Sequence, residues 1–292
     1  MDLSGFYLRD IGSYGVKLMA KKIAFLTLHG MGTTKRSYYE ELRDDLKSDV
    51  GADIWNKDIH FDHIYYQDIL QKPQNEYFKR VRNKVDSTKL RKFLLFGFSD
   101  AGGLEYSRTI DGSAYERTQK RIFDALGKAF DAVESPQAPV VFIAQSLGCQ
   151  VLSNYIWDAM RDPSPNFGVW QYDHGELDAD DIHFRRLRTL RVLVTTGCNI
   201  PIFVGGLPRA QRIPINRPND SFVWENYYDE DDALGWPLQA LSGGYKALVR
   251  DIEVNVGNFL TSWNPLSHTG YWTDSDVQKP LVDHLQSLLE EG

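Results

Sequence analysis

Apolar and polar positions follow two rhythms along this chain. One is short unbroken apolar runs, and the other is apolar residues at every third or fourth place. The runs at 23–28 (IAFLTL), 140–145 (VVFIAQ) and 190–196 (LRVLVTT) are too short for helices and rich in β-branched residues, so they read as buried strands. Weaker strands are expected at 61–66 and 221–228, and a late alternating one at 251–256. Helical spacing covers 34–50, where Tyr38, Leu42 and Leu46 recur every fourth residue, and 147–160, where Leu147, Val151, Tyr155 and Met160 lie close to one face. Further helices are expected at 75–85, which is charged, at 115–133, and at 275–289, which closes the chain. Strands that alternate with helices predict an α/β fold, a mostly parallel central sheet with helices on both faces.

One domain, 19–292, is the expected organisation, with insertions at the carboxyl edge of the sheet, where ligands bind in such folds. The stretch 163–188 mixes acidic and aromatic residues, including Trp170, Tyr172, His174 and His183, and reads as a lid or pocket wall. Residues 1–18 read as an appendage or remnant ahead of a natural start at Met19. They lack the basic start and apolar core of a secretory signal, so a cytoplasmic location is the expectation.

Composition narrows the function classes. A net charge of −7, with no long run of lysine or arginine, argues against a nucleic-acid surface. The densest basic patch, Arg185, Arg186, Arg188 and Arg191, reads as a solvated approach to a strand. Two cysteines, Cys149 and Cys198, build no disulfide framework and read as reduced structural thiols. No segment has the apolar length of a membrane span. His60 and His63 bracket Asp62, but strand alternation puts the two imidazoles on opposite faces, so no metal site is expected; no cofactor is expected either.

The candidate chemistry centres on Ser146. The sequence Ala144-Gln145-Ser146-Leu147-Gly148 places a serine between a buried strand and a helix, with small residues on either side that let the two elements approach. The other reading of such a serine is an ordinary helix cap. A competing serine, Ser99, also follows an apolar run, but Gly102 and Gly103 would fall in the first turn of any helix after it, at about 1 kcal/mol each. Ser146 is therefore favoured. The first strand runs into His29-Gly30-Met31-Gly32, where glycines let the backbone pass close to a bound carbonyl and the Met31 amide is free to face it. Asp229, Asp231 and Asp232 crowd the loop after 221–228, and His268 lies in a loop after the last strand. A solvated turn accounts for two of the three aspartates. His284, within the closing helix, reads as a packing residue.

The order Ser, Asp, His, with a strand-turn-helix at the serine, resembles the α/β-hydrolase family in its lipase and esterase-like branch, which carries His-Gly-x-Gly before the first helix. The likeness runs from Ile23 onward and departs from the family at Ala144, where glycine is usual. It implies Ser146 as nucleophile, His268 as base, and Asp232 as the acid, with Asp229 the alternative. The amides of Met31 and Leu147 would form the oxyanion hole. The implied activity is hydrolysis of a small-molecule carboxylic ester or thioester through an acyl-enzyme. An acyltransferase using the same triad, or a non-catalytic scaffold binding a protein or small ligand, is the alternative. Trp170, Tyr172, Trp236, Tyr271 and Trp272 suggest an apolar substrate portion or core packing. Oligomeric state is not legible.

Overall fold

The computed structural model describes residues 20–31, 34–84, 108–161, 167–256 and 270–291. Ser99, His268, Gly32, the 1–18 appendage and the start of the expected lid lie outside the described residues. Among those described, six strands form one sheet: β1 Ile23–Leu28, β2 Ile59–Ile64, β3 Val140–Gln145, β4 Leu190–Thr196, β5 Val223–Tyr228 and β6 Val249–Glu253. Their order is β2-β1-β3-β4-β5-β6, and every pairing is parallel. All carboxyl ends therefore meet at one edge, where Ser146, Met31 and the aspartates of 229–232 are carried.

Alternation along the strands sorts the side chains into two layers. Ile23, Phe25, Val141 and Ile143 pack with Leu42 and Leu46 of α1 (Glu40–Val50), Trp55 of α2 (Ala52–Asp58), and Leu281 and Leu285 of α9 (Ser275–Glu291). Ala24, Leu26, Leu28, Phe142 and Ala144 face the other way, onto Ile122 and Leu126 of α4 (Ala114–Ala132) and Leu152 of α5 (Leu147–Met160). Each of these larger side chains contributes on the order of 2 kcal/mol by leaving water. The helix α3 (Gln67–Val81) starts earlier than its charged stretch suggested, and its first turn carries Leu70 into this second layer.

Boundaries shift where tertiary contacts override local pattern. The helix expected from residue 34 begins at Glu40, and Tyr38 sits ahead of it with its hydroxyl 3.0 Å from the Thr27 carbonyl and 3.2 Å from that of Ile64. Helices α6 (Ala179–Arg185), α7 (Ile200–Val204) and α8 (Gly243–Leu248) were not expected, because fewer than two turns carry too few periodic positions. Within 167–188, Trp170 is buried against Phe123 and Tyr155, at ring separations of 5.3 and 5.7 Å. Three of the four arginines expected to be solvated are engaged instead. Arg185 grips Asp181 and the Phe123 carbonyl, Arg186 donates to the Ala159 carbonyl, and Arg191 pairs with Glu291. No helix among the described residues is long and apolar enough to cross a membrane.

Candidate active site

Strand β3 passes into α5 through Ser146, which holds φ 53° and ψ −122°. A non-glycine residue in that region stores about 1–3 kcal/mol of backbone strain, and only surrounding contacts hold it there. The contacts are visible. The Ser146 amide donates to the Thr196 carbonyl at the end of β4 at 2.9 Å, and its own carbonyl accepts from Cys149 at 3.0 Å. The helix-cap reading is excluded, because the side chain makes no cap hydrogen bond. Among the described residues, the buried Ser146 hydroxyl has no hydrogen-bond partner. Such a group normally finds a partner. Leu147 is the first residue of α5, so its amide has no acceptor within the helix.

Glycines make the elbow fit. A Cβ on Gly148 would stand 2.5 Å from the His29 carbonyl oxygen and 2.8 Å from that of Leu28. Those are backbone atoms of β1 and its exit, and they cannot swing aside. We expect Gly148→Ala to lose about 1–3 kcal/mol through overpacking, although alanine is the better helix former. Gly243, with nothing within 4 Å of its added Cβ, is the control. Urea midpoints should fall for Gly148→Ala and stay level or rise for Gly243→Ala.

The exit of β1 packs directly on the serine. A Cβ on Gly30 would lie 2.7 Å from Ser146 Cβ and 3.4 Å from its Oγ. His29, only 2% exposed, stacks on Tyr66 with ring centroids 4.2 Å apart. The Tyr66 amide donates to His29 Nε2 at 3.2 Å, which leaves the proton on Nδ1 to bond the Gly30 carbonyl at 2.7 Å. Burial pushes the His29 pKa down to about 4, against a smaller upward effect of the Gly30 carbonyl. The ring is neutral in the folded chain above that pH, while the unfolded chain takes up a proton near 6.5. Its contribution to stability is therefore complete above pH 6.5 and is lost as pH falls toward 4, by about 3 kcal/mol in all. Denaturant titrations at pH 4.5 and 7 should show a shallower pH slope for His29→Asn than for the natural protein.

After β5 the chain makes two successive Asx turns. Asp229 Oδ1 accepts from the Asp231 amide at 2.8 Å, and Asp232 Oδ1 accepts from the Leu234 amide at 3.0 Å. Asp229 and Asp232 are buried, at 3% and 5% exposure, and only Asp231 faces solvent. The solvated turn expected for two of the three aspartates thus holds for Asp231 alone. Asp229 and Asp232 are both buried, because backbone amides supply the solvation that burial removes. Asp229 Oδ2 accepts from the Val256 amide at 2.8 Å. Tyr271 completes a chain: the Asp229 amide donates to its hydroxyl at 3.0 Å, and that hydroxyl donates to Asp232 Oδ2 at 2.9 Å. Burial and the neighbouring aspartates push the Tyr271 phenol far above its ordinary range, so it stays a donor. The loop is also tied to the serine's side of the sheet. Trp236 donates to the Cys198 carbonyl at 3.0 Å, and Trp272 Nε1 donates to Thr196 Oγ1 at 3.1 Å.

A serine elbow thus follows β3 and an acidic loop follows β5, both at the carboxyl edge of one parallel sheet, while His268 lies outside the described residues. The fold is that of an α/β-hydrolase. No protein-family model matches the sequence, and no curated protein matches it. Among solved structures, a protein of Lactobacillus plantarum WCFS1 described as a "putative carboxylesterase" aligns with a TM-score of 0.41 and 10% identity, over 97% of this chain and 90% of that one.

Of the aromatic candidates in this hydrolase fold, Trp170, Tyr271 and Trp272 are core, whereas Tyr172 and Trp236 are each 45% exposed. Cys149 and Cys198 are both buried and free. His284 sits in α9 with Nε2 3.2 Å from Glu225 Oε2. Two residues escaped the sequence reading. In the sequence His29 reads as the start of a glycine turn, and Tyr271 as a pocket aromatic or core packing; neither reading includes the hydrogen bonds they make. The tyrosine pair 65–66 directly after β2 was the one available signal for the former.

Proposed function

We propose that this chain is a serine hydrolase that cleaves a carboxylic ester or thioester through an acyl-enzyme. Ser146 Oγ attacks the acyl carbon while His268 takes its proton. Asp232 holds the imidazole and balances its charge, and the amides of Leu147 and Met31 receive the developing oxyanion. Collapse expels the alcohol or thiol, which recovers the proton from His268. Water then repeats the attack on the acyl group and frees Ser146. The observation that carries this reading is a strained serine at φ 53° whose buried hydroxyl has no partner among the described residues. An unstrained packing role would need neither feature.

Both carboxylates are engaged, Asp229 by two backbone amides and Asp232 by one amide and the Tyr271 hydroxyl. Asp232 is preferred as the acid because one of its partners is a side chain, which is freer to yield to an imidazole than a backbone amide. A fluorophosphonate probe tests the whole reading. Labelling should be strong in the natural protein, absent in Ser146→Ala and retained in Ser99→Ala. A folded natural protein that takes no label would sink it. A p-nitrophenyl ester series of increasing chain length then measures how deep an acyl group the site accepts.

A further inference from the structure

His29 has no part in the triad, yet its hydrogen bonds reach the atoms that would hold the oxyanion. We propose that the buried imidazole of His29 is a positioning residue that sets the Gly30–Met31 peptide so that the Met31 amide faces Ser146. This rests on the serine-hydrolase reading above and adds to it a residue on a different strand from the nucleophile.

The argument is geometric. In a trans peptide the carbonyl and the following N–H point in opposite directions. The Gly30 carbonyl is drawn to His29 Nδ1 at 2.7 Å. The ring in turn is held from the far side, where the Tyr66 amide reaches Nε2 at 3.2 Å and the Tyr66 ring lies parallel at an interplanar angle of 5°. Tyr66 follows directly on β2, and β1 lies between β2 and β3. The carbonyl is therefore turned toward the β2 side, and the Met31 N–H is left facing the β3 side. Ser146 stands there, against Gly30.

The Tyr66 hydroxyl secures the same loop a second time by donating to the His29 carbonyl at 2.8 Å. That carbonyl is the one that Gly148 of the elbow helix packs against. One histidine and one tyrosine thus fix the backbone on both sides of Gly30. Around the ring stand Tyr38, Tyr65 and Tyr66, with Asp68 and His63 as the charged or titratable groups in reach. The Tyr66 amide takes Nε2 as its acceptor, which places the imidazole proton on Nδ1, facing the Gly30 carbonyl.

The test pairs two variants and two readouts. His29→Leu removes the donor to Gly30, whereas His29→Asn keeps an N–H in the place of Nδ1 and remains available should the leucine variant not fold. In crystals, His29→Leu should show the Gly30–Met31 peptide rotated away from its present orientation, and His29→Asn should keep it. With a p-nitrophenyl ester, His29→Leu should lose 10- to 100-fold in kcat with KM within about twofold, while His29→Asn stays within about fivefold, since removing one oxyanion donor outright costs about 10²–10³. An unmoved peptide in His29→Leu, or a moved peptide with unchanged kcat, overturns the proposal while leaving Ser146 as the nucleophile. A natural protein without esterase turnover overturns the reading of the site itself, and this role of His29 falls with it.

Discussion

Ser146→Ala should abolish turnover and leave the chain no less stable than before. The loss in kcat is expected at about 10⁴-fold or more, the scale on which triad serines are felt. Stability should move the other way. The hydroxyl that the substitution removes is buried and has no partner among the described residues, and such a group costs about 1–3 kcal/mol. Thermal melts of Ser146→Ala should therefore be level with or above those of the natural protein. Ser146→Gly should rise further, because glycine tolerates φ 53° without strain. A dead but stabilised variant is the signature of a residue held in place for chemistry. A Ser146→Ala that melts markedly lower would show that the hydroxyl holds the fold together, and the catalytic account would fail.

Asp232→Asn is expected to lower kcat by about 10⁴-fold, because an amide in that place leaves the imidazole in the wrong tautomer. Asp229→Asn should behave differently. Its two carboxylate oxygens accept from the Asp231 and Val256 amides, so one amide hydrogen would come to face another N–H. The expected outcome is a loss of about 1–3 kcal/mol in stability with kcat within about tenfold at a temperature where the fold persists. Tyr271→Phe, which severs the bond between the two aspartates, serves as a control for indirect effects. Steady-state kinetics beside urea titrations separate the cases. Should Asp229→Asn silence the enzyme while Asp232→Asn does not, the two assignments exchange places.

Much of the architecture was legible because buried parallel strands leave a plain mark. The runs at β1, β3 and β4 are apolar on both faces, and no helix could be drawn through them. β2 and β6 were placed about two residues late because edge strands are half exposed and their ends are set by neighbours. The serine elbow was legible from its small neighbours Ala144 and Gly148, and the glycine geometry gives the physical reason. What the sequence concealed were roles that depend on direction. Nothing local marks Asp229 as a clasp on Val256 or Tyr271 as the bridge between two carboxylates, since their partners lie 27 and 39 to 42 residues away. His29 was hidden for the same reason: its second partner, Tyr66, is 37 residues downstream.

The serine is gripped from three directions by segments that are far apart in the chain. Gly30 and the His29 carbonyl press from β1, the elbow helix supplies its own turn, and the Thr196 carbonyl reaches over from β4. No nascent chain that stops short of residue 196 can hold that conformation. The strained serine conformation, and with it the proposed nucleophile, is therefore a late arrival in biogenesis, formed only after synthesis has passed the middle of the molecule. A product cut short before residue 196 is expected to lack the proposed ester cleavage, however well its surviving strands had paired.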